Sequence, residues 1–371
     1  MTPKESVRTE SGLWKDSYDL TAVRKLGEAI KRINGSFNVD RFETAARDGG
    51  LLQLELKARI NLSAQILRDF LPQDYSAAIS ILVRVAPQLG AFLNWTLTSY
   101  VEQFGLERFD ESMQALRELT KYGSSEFAIR PYVIQDPKRA LAFMHVWVTD
   151  DNEHVRRLAA EGSRPLGVWV AHVEMFKKDP RPVLGLLEKI KADPSPYVRK
   201  AVANNLNDIA KNQPELVIKT CARWKREKCK ETDWIIRHGC RGLIKTGRPE
   251  VFPLLGFTAD PNVKVSSLRI TPRRIGIGQS LAIGFDITSG AKKTQRLAID
   301  YVVHYVKANG RTSPKVFKLA EKTLKPGDTL RFAKTHELIE RSTRKHFPGR
   351  HRIDLMVNGA AARTGYFELE S

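Results

Sequence analysis

The first part of the chain, up to about Asp260, places its apolar residues with the period of an α-helix. From Leu51 to Phe70 they recur at spacings near three and four, as in Leu52, Leu54, Ile60, Leu62, Ile66, Leu67 and Phe70. Polar or Pro- and Gly-containing breaks follow such segments, for example at residues 71–74 and 121–125. The pattern predicts an all-helical region.

Within this region a short motif recurs at an interval near 40 residues. A β-branched residue followed by Arg occurs at Val155-Arg156, Val198-Arg199 and Ile236-Arg237, with spacings of 43 and 38 residues. Each pair follows an Asp-containing turn and precedes small apolar residues. Two helices per unit at this period are typical of HEAT-type repeats. We expect the Asp to cap the second helix of each unit and the small residues to let units stack closely.

After Asp260 the apolar period changes to two residues. Leu281, Ile283, Phe285 and Ile287 alternate with polar or small residues, and residues 297–305 do the same. Asn309-Gly310 and Asn358-Gly359 predict hairpin turns with positive φ. The sequence therefore predicts an all-α HEAT-like repeat solenoid over residues 1–259. An immunoglobulin-like β-sandwich is expected over residues 260–371.

The chain is strongly basic. It contains 61 Lys and Arg residues against 42 Asp and Glu, which gives a formal net charge of +19. Residues 261–371 hold 21 of the basic residues and nine of the acidic ones, a net charge of +12. Such an excess attracts polyanions, and nucleic acid is the commonest polyanion in a cell. The alternative polyanion is an anionic membrane surface. The sequence does not favour it, because we find no basic amphipathic helix with an aromatic apolar face.

The cysteines and the N-terminus indicate the compartment. Cys221, Cys229 and Cys240 lack the CxxC pairs of a zinc site, and we interpret them as free, mostly buried thiols in a reducing environment. The N-terminal segment lacks the apolar run of a secretory signal, and no stretch approaches about 18 apolar residues. The sequence predicts a monomeric cytoplasmic protein with no metal and no cofactor.

Candidate chemistry rests on residues embedded in the repeats, because the sequence contains no Walker loop, GxSxG elbow or HExxH helix. Glu126 lies in SSEFAIRPY, and Glu161 lies in AAEGSRPLGVW, which ends at Trp169. Taken alone, Glu126 also fits a solvated or capping carboxylate, and Trp169 also fits a core residue. Glu161 is less ordinary, because it precedes Gly-Ser-Arg-Pro where a repeat should simply turn.

Several segments together resemble a known family. EFAIRPY, VRRLAAEGSRPLGVW, VANNLNDIAK and WIIRHGCRGLIKTG, in this order, resemble the AlkC-type alkylpurine DNA glycosylases of the AlkC/AlkD superfamily over about residues 51–257. DYVVHYVKANGRTSPKVFKL and RKHFPGRHRIDLMVNG resemble the immunoglobulin-like domain of a subset of AlkC proteins. The resemblance implies a monofunctional glycosylase of base excision repair whose partner is duplex DNA containing alkylated bases.

The resemblance also implies the reaction and the roles of the site residues. The substrates would be cationic N3-methylated bases, 3-methyladenine and 3-methylcytosine, excised without full base flipping. A cationic base needs no general acid to leave, which leaves an oxocarbenium-like sugar and an attacking water. Glu161 would position the water, Glu126 would stabilise the sugar cation, and Trp169 would face the sugar. Asp208 would be a fourth catalytic residue, and the alternatives for it are an acidic cap or a ladder residue.

Basic residues supply candidate phosphate contacts. In the repeats these are Arg156, Arg164, Arg199, Lys200, Arg237, His238 and Arg241. Second helices line the concave face of a solenoid, but an Arg of a HEAT unit can also bond to neighbouring turns, so both roles stay open. In the β region the candidates occupy two loops and comprise Lys307, Arg311, Lys315, Arg344, Lys345, His346 and Arg350. The alternative function is a non-catalytic scaffold that binds nucleic acid or an acidic protein.

Overall fold

The computed structural model describes residues 14–167, 170–340 and 345–370, which form two compact units that divide between Asn212 and Gln213. The first unit is helical. Its helices are α1 (Leu20–Ile33), α2 (Val39–Asp48), α3 (Leu56–Phe70), α4 (Tyr75–Val85), α5 (Ala91–Phe104), α6 (Phe109–Leu119), α7 (Arg130–Gln135), α8 (Pro137–Trp147), α9 (Glu153–Gly162), α10 (Glu174–Lys178), α11 (Arg181–Glu188) and α12 (Pro196–Ile209). Short 3-10 helices occupy Trp14–Ser17, Leu51–Gln53 and Ala86–Gln88.

The recurring motif begins α9 and α12, but its caps differ from the expected ones. Asn152 accepts a hydrogen bond from the second amide of α9 at 2.9 Å, and Ser195 does the same for α12 at 3.1 Å. The prediction of Asp caps is therefore wrong. Asp150 and Asp193 lie two residues earlier and accept the amides of Asn152 and Ser195, at 2.9 and 2.8 Å. These aspartates brace the turn that presents each cap.

An arginine of the motif joins one repeat to the next. Arg156 donates through Nε and Nη2 to the two carboxylate oxygens of Asp193, at 2.7 and 3.1 Å. Its Nη1 also donates to the carbonyls of Asp150 and Asp151. The Asp193 side chain is only 3% exposed, so the pair is a buried one that fixes α9 against the turn before α12.

The second unit contains helices followed by strands. The helices are α13 (Pro214–Lys225), α14 (Lys230–Gly239), α15 (Arg241–Lys245) and α16 (Val251–Leu254). The strands are β1 (Val263–Val265), β2 (Arg269–Thr271), β3 (Arg274–Gly276), β4 (Ser280–Ser289), β5 (Gln295–Val306), β6 (Thr312–Leu324), β7 (Thr329–Glu337), β8 (Gly349–Val357) and β9 (Ala360–Glu370). The change from helix to strand thus falls near the predicted boundary at 259/260, while the compact unit also takes in α13 to α16. That domain boundary stays a prediction.

The strands of the described residues form two sheets around one core. In one sheet β4 pairs antiparallel with β1, β2 and β7. The other has the order β3-β9-β8-β5-β6, in which only the β3–β9 pair is parallel. The alternating apolar residues of β4 and β5 point into the shared core, as the period of two predicted. At the β8–β9 turn both Asn358 and Gly359 have positive φ, whereas at the β5–β6 turn Gly310 does and Asn309 does not.

His336 is buried in the interior of the β region. Its side chain on β7 is 4% exposed, and its two ring nitrogens lie 3.0 and 2.9 Å from the hydroxyls of Tyr301 and Tyr305. Burial, together with the smaller effects of the nearby His346 and Lys334, lowers the pKa of His336 to about 4. Protonation of this ring therefore destabilises the folded state.

We expect His336 to reduce stability in acid. Its folded-state pKa of about 4 lies below the value of about 6.5 for an unfolded histidine, so the unfolded state takes up the proton first as the pH falls. The stabilisation that His336 provides should be complete above about pH 6.5 and decline toward pH 4. Relative to a His336→Gln variant, the free energy of unfolding should fall by up to about 3 kcal/mol across this window.

The comparison with the His336→Gln variant is necessary because Asp300 changes the free energy of unfolding with pH in the opposite direction. Burial raises the pKa of Asp300 to about 6, so its contribution to stability is lost as the pH rises through that value. Chemical denaturation of both proteins at several pH values isolates the histidine, since Asp300 is common to both. A difference between them that does not change with pH would contradict the assignment.

Candidate active site

Two predicted carboxylates lie together in the first unit. Glu126 belongs to the turn before α7, and Glu161 belongs to the last turn of α9. Their side chains are 27% and 9% exposed. Both line a cavity of about 210 Å³, whose other walls are Phe127, Arg130, Arg157, Arg164, Gly167, Val170 and Asn204. The fold therefore gathers carboxylates from different repeats into one small, polar space.

Arg157 connects these two carboxylates, and the sequence reasoning did not single it out. Its Nη2 forms an ion pair with Glu126 and lies 3.8 Å from Oε1 of Glu161, one helical turn further along α9. Its Nη1 donates to Oγ of Ser124 at 2.6 Å, and the guanidinium lies 5.1 Å from the ring centre of Tyr197. The i, i+4 spacing with Glu161 could have indicated the second contact, but the first depends on the tertiary fold.

Arg164 continues the network to Asp208. It donates to Oε2 of Glu161 at 2.8 Å and to Oδ2 of Asp208 at 2.6 Å. Burial alone would lower the pKa of Arg164, but the charges of Glu161 and Asp208 outweigh it, and the pKa is raised. Asp208 is 3% exposed and also pairs with Lys211 at 3.0 Å. Asp208 thus adjoins the cavity through Arg164 rather than lining it.

Arg130, the arginine of EFAIRPY, holds the turn that follows Glu161. Its guanidinium donates to the carbonyls of Gly162, Arg164 and Ala171, at 3.0, 2.7 and 2.6 Å. Burial lowers its pKa to about 10, and the neighbouring Arg164 contributes to the shift. Because Arg130 satisfies backbone carbonyls of this turn, it positions the segment that carries Glu161 and Arg164.

A larger cavity adjoins the small one across Phe127. It has a volume of about 760 Å³, and its walls include Ile60, Trp95, Thr98 and Glu102. Most of this surface is apolar, and burial raises the pKa of Glu102. Glu126 and Glu161 are not among its lining residues, so the size of this cavity does not make it the chemical centre.

Comparisons with known proteins show the family of the chain. Residues 108–243 match a family described as DNA alkylation repair enzyme, and residues 264–371 match the C-terminal Ig-like domain of YhaZ. The chain is 37% identical to the uncharacterized protein YhaZ of Bacillus subtilis (strain 168) over 93% of its own length and 96% of the relative's. It superposes on a Pseudomonas fluorescens alkylpurine DNA glycosylase, AlkC bound to DNA containing an abasic site analog, with a TM-score of 0.89 and 37% identity. That match covers 96% of this chain and 99% of the other.

This chain belongs to the AlkC family of DNA alkylation repair enzymes. The membership confirms the predicted fold, a helical repeat region followed by an immunoglobulin-like β region. It also confirms the predicted class, a monofunctional DNA glycosylase, over the non-catalytic scaffold. Among the described residues, no helix has the length and apolar character needed to cross a membrane.

The AlkC-type roles predicted for individual residues stay predictions. Trp169 lies outside the described residues, as does Arg344 of the β region. Glu126 and Glu161 occupy a shared cavity that suits their predicted roles. The side chain of Arg164 is only 12% exposed and forms ion pairs with carboxylates. These ion pairs, and not a DNA phosphate, occupy its guanidinium.

The remaining basic residues of the repeats differ in what they contact. Arg199, like Arg156, donates to turn carbonyls, here those of Asp193 and Pro194 at 2.8 Å, whereas Lys200 is exposed. Arg237 pairs with Glu321 at 3.2 Å, and Arg241 donates to the carbonyl of His238 at 2.7 Å. Arg156 and Arg199 therefore have the structural role that the sequence left open for the repeat arginines, since both bond to neighbouring turns.

In the β region, most of the predicted cations are exposed. Lys307, Arg311, Lys315, Lys345 and Arg350 all reach solvent, and Arg350 packs on the ring of Tyr366 at 4.3 Å. His346 departs from the expected surface contact. It is 4% exposed, and its Nε2 lies 3.2 Å from the carbonyl of Ile339, so we withdraw it from the candidate phosphate contacts.

Proposed function

We propose that this enzyme hydrolyses the N-glycosidic bond of cationic N3-methylated bases, 3-methyladenine and 3-methylcytosine, in duplex DNA. The observation that carries the proposal is the pairing of Glu126 and Glu161 on one small cavity in a chain of the AlkC family. Carboxylates beside a reacting sugar stabilise its positive charge and orient water, which are the two requirements of this hydrolysis.

The described lining residues support a substrate that is already charged. They include two glutamates and three arginines but no His or Cys that could protonate a leaving base near neutral pH. Burial lowers the pKa of Arg130 to about 10, but this group is engaged by three backbone carbonyls. A base that carries its own positive charge leaves as a neutral molecule and needs no such acid.

The contacts support distinct roles for the acidic residues. Glu161 lies at the centre of the network, within reach of both Arg157 and Arg164, and is assigned to positioning the water. Glu126 is the more exposed carboxylate and is assigned to stabilising the sugar cation. Asp208 is assigned as a positioning residue that acts through Arg164. The sugar-facing role of Trp169, which lies outside the described residues, rests on the family resemblance alone.

The dimensions of the cavity support excision without full base flipping. Its volume of about 210 Å³ falls below the roughly 300–1,000 Å³ of ordinary ligand pockets. A cavity of this size suits the sugar and an attacking water better than an entire extruded nucleotide. The base would then remain outside the carboxylate cavity during bond cleavage.

Glu161→Gln tests the catalytic assignment. The amide keeps the shape and can still accept from Arg164, but it removes the negative charge that faces the sugar cation. We expect single-turnover excision of 3-methyladenine to slow by about 10²- to 10³-fold. Affinity for an abasic-site duplex should stay the same or rise, because a carboxylate repels phosphate.

The matched control is Glu174→Gln, since Glu174 pairs with Lys177 on the surface of α10. That variant should excise at the normal rate. Thermal melts of both variants separate catalysis from folding, because a purely structural Glu161 would lower the melting temperature and leave activity per folded molecule intact. Normal excision by folded Glu161→Gln would sink the assignment.

Metal independence follows from the same chemistry. A leaving group that departs neutral, with a carboxylate to orient water, does not need a Lewis acid. We expect the excision rate to be unchanged in excess EDTA. Loss of activity in the chelator, with recovery on adding back one particular divalent metal, would contradict the mechanism.

Lys200 and Arg156 provide a paired test of DNA contact. Lys200 is exposed on α12, whereas Arg156 is engaged by Asp193 and by turn carbonyls. Lys200→Gln should reduce the log–log slope of duplex affinity against salt by about 0.9, the value for one lost phosphate contact. Arg156→Gln should leave that slope unchanged and lower the free energy of unfolding by about 1.5–3 kcal/mol.

Titrations of a short duplex at several salt concentrations, beside denaturant melts, measure both quantities. The reverse result, in which Arg156→Gln changes the slope and leaves stability intact, would assign Arg156 to phosphate rather than to the repeat junction.

A further inference from the structure

Helix α14 in the second unit presents an aromatic pair on its outer face. Trp234 is 41% exposed, and its ring lies 5.1 Å from that of His238, one turn further along, with an interplanar angle of 8°. The opposite face of the same helix is buried through Thr232, Ile235 and Ile236. The two rings are therefore stacked with nearly parallel planes, and together they form a shelf directed away from the core of the unit.

The surroundings of this shelf are cationic. Lys230 precedes Trp234 by one turn on the same face, with its side chain 91% exposed. The exposed turn before α14 carries Arg226 and Lys228, and Arg237 on the helix is 45% exposed while it pairs with Glu321. Three acidic residues, Glu227, Glu231 and Asp233, lie in the same stretch. Residues 225–241 nevertheless hold six Lys and Arg residues against these three, so a polyanion would meet a net positive charge beside the indole.

Exposure of Trp234 has an energetic cost that the fold does not recover. Burying a large apolar side chain contributes about 1.5–3 kcal/mol, and an indole on the outer face forgoes part of this. A single exposed aromatic residue needs no explanation by itself. Here, however, a second ring lies flat against it and cations flank it, which is the arrangement that proteins use to stack nucleobases beside a bound backbone.

We propose that the shelf formed by Trp234 and His238 binds an unpaired nucleobase, with the flanking cations contacting the adjacent phosphates. The proposal rests on the proposed function, because DNA is the polyanion in question. It adds a second contact, made by the second unit, that favours DNA in which pairing is disrupted. The chemistry at this contact is recognition by stacking, and no bond is made or broken.

The probe is a short duplex with one bulged 2-aminopurine, a fluorescent base, compared with the same duplex fully paired and without the bulge. Stacking on an aromatic side chain contributes enough that Trp234→Ala should weaken binding of the bulged duplex by about 5- to 100-fold. Binding of the paired duplex should change by less than about 2-fold, since its bases are not free to stack. Fluorescence of the bulged base should be quenched by the unsubstituted protein and not by the variant.

Two further variants complete the design. Trp234→Phe keeps an aromatic face and should keep most of the quenching and the preference for the bulged duplex. Tyr122→Ala removes a comparably exposed aromatic residue of the first unit, 40% exposed, and should change neither. Circular dichroism melts confirm that each variant is folded, which the outward position of Trp234 favours.

Equal losses for the two duplexes would overturn the proposal, because Trp234 would then support backbone contact and not stacking. The proposal would also be overturned if the folded Trp234→Ala variant still preferred the bulged duplex over the paired duplex as strongly as the unsubstituted protein does. The outcome is separable from that of the proposed function: binding is measured on undamaged DNA, and excision on methylated DNA. A protein that excises nothing yet prefers the bulged duplex would keep this inference and lose the other.

Discussion

The site depends on placing two carboxylates, 27% and 9% exposed, on one small cavity. Like charges in a partly buried space repel one another more strongly than they do in water, because the effective dielectric constant is lower there. Arg157 contacts both carboxylates, and Arg164 pairs Glu161 with the more buried Asp208. Because guanidinium groups alternate with carboxylates, the repulsion between the carboxylates is offset, and the side chains are held in fixed positions.

The repeat architecture supplies the backbone that this network requires. Arg156 and Asp193 join α9 to the turn before α12, so the ends of these helices are held in register. Asn205 on α12 donates to the carbonyl of Ala160 and to Oγ of Ser163, which ties the helix to the segment around Glu161. Arg130 completes the turn after Glu161 through three carbonyls. The contacts that stack these repeats therefore also position the segment that carries Glu161.

Much of this could be predicted from the sequence because periodicity reports local structure. The alternation from Leu281 to Ile287 identified a half-buried strand. The resemblance of short segments to a known family selected Glu126 and Glu161, and the fold places both on one cavity. The failures concern residues whose role is set by distant neighbours. Asp193 looked like a cap, but its carboxylate is taken by Arg156 and by the amide of Ser195. His346 looked like a surface cation, yet the fold turns it inward against Tyr305.

In the proposed reaction, selectivity resides in the charge of the lesion. A neutral base would leave as an anion and would need a proton from the enzyme. Among the described residues of the cavity, the arginines are the only cationic groups that could donate one. Their protons are committed to Glu126, Glu161, Asp208 and to backbone carbonyls. In this reaction an undamaged deoxyadenosine that reached Glu161 would therefore lack a group to protonate its leaving base. In this proposal the enzyme does not need a pocket that is complementary to the shape of the base, because the methyl group has already given the base the charge that weakens the glycosidic bond.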